Sequence, residues 1–279
     1  MNAAASGIWR SIRSLVARST FGWFAGERPH KAYLSTNLRR GEASTVPPLR
    51  RPAIPAIPPP KRHPYNQWAP DARALDLVGD KWTLLIVRDL AGGPRRFVEL
   101  QRVLPGISTE QLRSRLNRMV ADGLLTRQRY REVPPRVDYE LTDRSRDLLP
   151  VIGALGRWGY RWAWGPPRPG EAIDIGAILR CAPGLAAPDG LRGSVEIVVT
   201  RNARPVGAYV LHLLDGALVY EERSAPEADA HVSGPERAWV EAFGLDASRT
   251  ELEVSGDRRL AESVLDSLSA VTVRDAAVA

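Results

Sequence analysis

The stretch from Arg96 to Thr142 constrains the fold more than any other part of the chain. Phe97, Leu100 and Leu104 recur at i, i+3 and i+7, one face of a short helix. Pro105-Gly106 stops that helix, and Ser108 is placed to cap the next. In this second helix Leu112, Leu116, Met119 and Val120 share an apolar face. Gln111, Ser114 and Arg118 point away from it, with Arg113 and Arg115 on the flanks. Gly123 falls at the C′ position where helices end. Two short runs follow, Leu125–Tyr130 and Val137–Leu141, joined by Glu132-Val-Pro-Pro-Arg136. The order is helix, turn, helix and a two-stranded ribbon. A helix-turn-helix presents its second helix to the major groove of double-stranded DNA. Here that helix has a polar, arginine-bearing outer face.

The same stretch and its flanks carry a resemblance. Asp76-Leu-Val-Gly-Asp-Lys-Trp82, Gly93-Pro-Arg-Arg-Phe97, Leu104-Pro-Gly-Ile-Ser108 and Leu112-x-x-x-Leu116 come first, in that order. Asp122-Gly-Leu124 and Val133-Pro-Pro-Arg-Val-x-Tyr-x-Leu-Thr142 follow. Together they resemble the HxlR-type winged helix-turn-helix transcriptional regulators, over Tyr65 to Trp164. The resemblance implies a homodimeric DNA-binding protein. Many members carry a cysteine just before the first helix, and some use it for redox or aldehyde sensing. The matching position here is Ala69, which excludes thiol sensing there.

The 279 residues are enough for two domains. The net charge of +7 is unevenly spread: residues 1–64 carry +9, residues 65–165 carry +5 and residues 166–279 carry −7. Phosphate therefore attracts the first two thirds and repels the last third. No apolar run approaches the roughly 18 residues of a membrane span. The lone cysteine, Cys181, permits no internal disulfide and fits a cytoplasmic protein.

Residues 1–64 do not read as a domain. Val46–Pro64 holds eight prolines, which block helix and sheet. The segment reads as a disordered basic tail, as an artefact of an upstream translation start, or as an Arg-rich targeting peptide. Residues 65–95 supply a scaffold. Pro70–Val78 is an expected first helix; Trp82, Leu85, Ile86 and Leu90 form the core face of a second, with Trp82 read as a core residue rather than a ligand-stacking one. Thr142 is placed to cap one long helix. Its Leu148, Leu149, Val151, Ile152, Leu155, Trp158 and Trp162 spread over about 200°, wider than the stripe of roughly 100° that one core needs. The excess calls for a second surface, either a partner copy in a two-fold dimer or the C-terminal domain.

Gly165-Pro-Pro-Arg-Pro-Gly170 marks the expected domain boundary. Beyond it Ile173–Leu179 reads as a short helix, and Ser194–Thr200, Val206–Leu213 and Ala217–Glu222 as an antiparallel meander with turns at Asn202 to Pro205 and Asp215-Gly216. Asp229–Ser233 and Thr250–Ser255 are further strands, with helices from Gly234 to Phe243 and Gly256 to Leu268. Ala228-Asp-Ala-x-Val-Ser-Gly234, the helix Pro235–Phe243 and Leu252-Glu-Val-Ser-Gly-Asp257 resemble the sterol carrier protein type 2-like domain. That resemblance implies a tunnel for an apolar ligand, which Leu211, Leu213, Tyr220, Trp239 and Phe243 would line. The alternative is that these residues fill an ordinary core.

His30, His63, His212 and His231 make no Cys/His pair at metal-ligand spacing. There is no Gly-rich phosphate loop and no nucleophile elbow, so no catalytic, metal or cofactor site is expected. The fold class expected is α+β: a winged helix-turn-helix DNA-binding and dimerisation domain at 65–165, followed by an α+β antiparallel-sheet domain at 166–279. The function expected is sequence-specific binding of double-stranded DNA in transcriptional regulation, by a cytoplasmic homodimer with an apolar small-molecule effector and no membrane association. The alternative is a lipophilic-ligand carrier that uses the winged helix only to dimerise. Residues 108–121 enter the groove. Arg113, Arg115 and Arg118 suit guanine edges or phosphate, Gln111 suits adenine, and Ser108, Thr109 and Ser114 suit either. Arg95, Arg96 and Arg136 are the expected phosphate anchors, unless the Arg95-Arg96 pair is merely solvated surface.

Overall fold

The structure, a computed structural model, describes residues 64–130, 136–182, 190–214 and 217–269. The expected basic tail up to residue 63, the wing tip from 131 to 135 and the Asp215-Gly216 turn lie outside the described residues.

Helix α1 (Pro70–Val78) opens with proline at its first turn, where the missing N–H costs no hydrogen bond. The Asp80 carboxylate opens α2 (Thr83–Asp89), accepting from the amides of Trp82 at 2.9 Å and Thr83 at 3.1 Å. A two-residue strand β1 (Arg95–Arg96) leads into α3 (Phe97–Val103). Helix α4 (Thr109–Ala121) is bounded at both ends by its own sequence. At its start Ser108 Oγ accepts from the Gln111 amide at 3.1 Å, and the Gln111 side-chain oxygen accepts from the Ser108 amide at 3.2 Å. This reciprocal pair satisfies two amides that a helix start otherwise leaves open. At its end Gly123 takes φ +70, and the amides of Gly123 and Leu124 close onto the carbonyls of Val120 and Met119.

Strands β2 (Leu125–Tyr130) and β3 (Arg136–Leu141) pair antiparallel from Leu125 opposite Leu141 to Tyr130 opposite Arg136. β1 pairs with the other edge of β3, giving the order β1-β3-β2. The single long helix expected after Thr142 is two helices. Thr142 caps only the short α5 (Asp143–Arg146), and α6 (Leu149–Trp162) starts afresh with Pro150 in its first turn. Proline has no N–H to continue the preceding helix and crowds the turn before it. Leu100, Leu112, Leu116, Met119, Leu141 and Ile152 meet in the core of this half.

The second half contains α7 (Ile175–Leu179), β4 (Gly193–Arg201), β5 (Arg204–Leu214), β6 (Ala217–Glu221), β7 (Ala230–Pro235), α8 (Glu236–Ala242), β8 (Glu253–Gly256) and α9 (Arg258–Leu268). The sheet order is β6-β5-β4-β7-β8. β4 and β5 turn through Asn202 and Ala203, both at positive φ, the tight hairpin geometry that matches strand twist. The expected antiparallel sheet holds for β4, β5 and β6, but β7 lies parallel to β4. The crossover is anchored on Glu196 of β4. Its carboxylate accepts from the Ala225 amide at 2.8 Å and the Ser224 hydroxyl at 2.7 Å, and meets His231 Nδ1 at 2.9 Å. Gly256, at φ +78, passes so close to Asp229 that a Cβ there would lie 2.4 Å from its carbonyl oxygen.

The two halves meet at a buried ion cluster. Asp89, the last residue of α2, is 0% exposed, and Arg180, which follows α7, is 1% exposed. Arg180 Nε donates to Asp89 Oδ1 at 2.8 Å, and its terminal nitrogens face Asp174 and Glu222. Burial pulls the Arg180 guanidinium pKa down, but Asp89 and Asp174 more than restore it, so Arg180 stays charged. Away from this cluster, Tyr160 Oη donates to the Leu268 carbonyl and Trp164 Nε1 to the Phe243 carbonyl, each at 2.9 Å.

Replacing Ser108 with Ala removes the α4 cap, and the folded state is expected to lose about 1 kcal/mol. Urea denaturation checks this; an unchanged midpoint would mean that the cap contributes nothing to stability.

Candidate nucleic-acid interface

The outward face of α4 carries Thr109, Glu110, Arg113, Ser114 and Asn117, all exposed. Leu112, Leu116 and Met119 hold the opposite face in the core. Arg113 is exposed and, among the described residues, pairs with Glu110, one turn back, at 3.2 Å. Ser114 and Asn117 complete a polar strip one helical turn long. Thr109 accepts from Gln101 Nε2 at 2.8 Å, which ties the start of α4 to α3.

The other expected reading residues are held elsewhere. Arg115 Nη1 lies 3.0 Å from Asp80 Oδ2, so its guanidinium turns back toward the start of α2. Arg118 pairs with the buried carboxylate of Asp122 at 3.0 Å. Ser108 and Gln111 use their side-chain oxygens in the cap.

The expected phosphate anchors also divide. Arg96 is exposed and pairs with Glu99 at 2.9 Å. Burial pushes the Glu99 carboxyl up, but bonds from the Arg96 amide and guanidinium outweigh it and hold the pKa below the usual carboxylate range. Arg95 points the other way. Its Nε donates to the Asp89 carbonyl at 2.7 Å and its Nη2 pairs with Glu222 of the second half. Arg136 stands at the base of the wing, with Nε 2.9 Å from Asp138 and its guanidinium 5.4 Å from the Tyr130 ring.

Three exposed residues were not singled out from the sequence: Asn117 on α4, and Arg127 and Arg129 on β2. Of β2 only Leu125 is buried. The signal was present in Thr126-Arg-Gln-Arg129, which lacks the apolar alternation of a half-buried strand.

Of the expected tunnel residues, Leu211, Leu213, Tyr220 and Trp239 lie closed within the core of the second half. Trp239 Nε1 donates to the Gly234 carbonyl at 3.1 Å, which satisfies its one polar atom inside that core. Tyr220 stacks on Tyr209 at 5.9 Å, and burial together with Glu222 raises the pKa of its hydroxyl. Phe243 belongs to the same core but also borders an open cleft. Among the described residues no group of three or more His, Cys, Asp or Glu side chains is arranged to hold a metal, and no helix is long and apolar enough to cross a membrane.

The profile of the HxlR-like helix-turn-helix family matches residues 77–165. An uncharacterized HTH-type transcriptional regulator of Synechocystis sp. is 41% identical over 93 residues, covering 33% of this chain and 69% of that protein. Another, from Halalkalibacterium halodurans, is 42% identical over 96 residues, covering 34% of this chain and 85% of that protein. Among solved structures, the redox regulator HypR in its oxidized form is 35% identical, covers 33% of this chain and 94% of that one, and has a TM-score of 0.32. The identity to regulators that the chain covers over most of their length assigns it: this protein belongs to the HxlR-like helix-turn-helix family.

Proposed function

We propose that this protein is a cytoplasmic, sequence-specific transcriptional regulator that binds double-stranded DNA as a homodimer. The observation that carries this reading is the outward strip of α4, where Arg113, Ser114 and Asn117 are exposed on a helix whose other face is locked in the core. Arginine and asparagine recognise guanine and adenine edges in the major groove, and serine recognises either. Arg96, Arg127 and Arg129 supply phosphate contacts beside it, which position the helix without reading sequence. Arg115 and Arg118 orient α4 through Asp80 and Asp122, and Arg95 belongs to the junction between the halves.

Dimerisation uses α6. Val151, Leu155, Trp158 and Trp162 follow at i, i+4, i+7 and i+11 and are each about half exposed, up to 65% at Trp162. A single stripe of this kind matches the seam between two helices. Tyr65, Trp68 and Leu75, beside and on α1, are also exposed and extend the apolar surface available to a partner copy.

In this reading residues 65–165 bind DNA and dimerise, while residues 166–279 form a regulatory or assembly module. The resemblance of that module to sterol carrier protein type 2-like domains supports an apolar effector. Its charge of −7 argues against a second DNA contact.

Fluorescence anisotropy with the DNA upstream of its own gene tests the DNA-reading part. Arg113→Ala and Asn117→Ala are each expected to weaken specific binding by roughly 1–3 kcal/mol. Arg127→Ala and Arg129→Ala are each expected to lower the salt slope by about one. Wild-type affinity and salt slope in all four variants would contradict the assignment. For the dimer, Leu155→Glu buries an unpaired charge in the seam. Sedimentation is expected to show a monomer with lost operator binding; a wild-type monomer at micromolar concentration would contradict the seam.

A further inference from the structure

We propose that the cleft between the winged helix and the second domain is a binding site for an uncharged polycyclic aromatic molecule, and that α7 passes its occupancy to the winged helix. The inference rests on the regulatory reading above and moves the effector from the closed core to this junction. The cleft measures about 1250 Å³. Trp82, Leu85, Tyr160, Trp164, Ile178 and Phe243 supply its apolar and aromatic wall. Trp82 is therefore only partly a core residue. It is half-buried, with Lys81 Nζ 4.9 Å over its ring on the cleft side of α2.

Charge on the walls is close to balanced. Lys81, Arg88 and Arg168 face Glu171, Asp174, Glu241 and Asp246. Arg88 is already paired with Asp89, and Asp174 with Arg180. What remains gives no strong field of one sign, so the aromatic surface selects the occupant and an uncharged molecule fits best.

A second observation is independent of that wall. Gly156 and Gly159 lie in the middle of α6 and line the cleft. Glycine inside a helix is destabilising. Beyond the backbone of α6 itself, a Cβ built on either residue would meet no described atom within 4 Å, so no neighbouring element requires glycine there. The room they leave would let a flat molecule lie against that face of α6. On the helix wheel Gly156 lies about 130° from the centre of the dimer stripe and Gly159 about 70°, so Gly156 is the glycine that stands clear of the stripe.

The route to the winged helix is α7 and the residues at its ends. Asp174, Ile175, Ala177, Ile178 and Cys181 border the cleft, while Asp174 and Arg180 form the ion cluster on Asp89. On the opposite wall Trp82, Leu85 and Arg88 belong to α2 or its start, and α2 ends in Asp89. An occupant touches both elements that the buried pair joins. It changes operator affinity to the extent that it prefers one spacing of α2 and α7 over another.

The test uses the full chain and the uncharged dye Nile red. Saturable binding with blue-shifted emission is expected for the wild type, together with a shift in operator affinity. Gly159→Leu fills the cleft and is expected to abolish both effects; because leucine is the better helix former, a thermal melt is expected to show an intact fold. Gly156→Leu repeats the block independently one turn earlier. Leu155→Glu, which alters only the dimer stripe, is expected to keep dye binding. No saturable binding to the wild type, undiminished binding to both glycine variants, or loss of binding in Leu155→Glu would overturn the site; the last result would make a partner copy the occupant. Dye binding that leaves operator affinity unchanged would overturn the route through α7. Failure of the dye-free wild type to bind operator would instead refute the DNA-binding reading and leave dye binding unaffected.

Discussion

The pairing of Arg180 with Asp89 is the interaction on which the arrangement of the described chain depends. Both side chains are almost wholly withdrawn from water. A buried charge stripped of its partner is costly, roughly 3–5 kcal/mol for a pair broken from one side. The cost is contained here because each group has more than one counter-charge. Asp89 also receives Arg88, and Arg180 also faces Asp174 and Glu222. Arg95 closes the ring from the winged helix, holding both the Asp89 carbonyl and Glu222. The halves therefore cannot part without exposing or stranding several charges together. The same need for counter-charges explains why Arg95 is turned inward while its neighbour Arg96 remains at the surface.

The reading unit is legible in the sequence because its signals are local. The apolar spacing of α4, the Ser108 cap and the Gly123 stop act within one or two helical turns, and each is found where the pattern places it. The three-strand meander is legible for the same reason. The break between α5 and α6 is a local effect as well, and Pro150 is its visible cause, but the apolar periodicity runs through the break and hides it. The parallel pairing of β7 with β4 is different. It depends on Glu196 gathering Ser224, Ala225 and His231 from across the crossover, which no spacing announces.

The arginines show the limit most clearly. A helical wheel places Arg118 opposite the apolar face of α4 and Arg113 and Arg115 on its flanks. It does not tell which meets an acid from another part of the chain. Asp80 claims Arg115 from far earlier in the sequence, and Asp122 claims Arg118 from the following turn, leaving Arg113 on the outer strip with Ser114 and Asn117. Trp82 is half legible in the same way: its spacing with Leu85, Ile86 and Leu90 is a core spacing and it packs against that core, yet a cleft also opens in front of it.

One buried pair, Arg180 with Asp89, fastens the two halves together. A double-mutant cycle on Asp89→Asn and Arg180→Met, read by urea denaturation, tests it most directly. The two changes are expected to be strongly non-additive, with a coupling of about 1 kcal/mol or more. Additive effects would mean that the two charges do not depend on one another, and would contradict it.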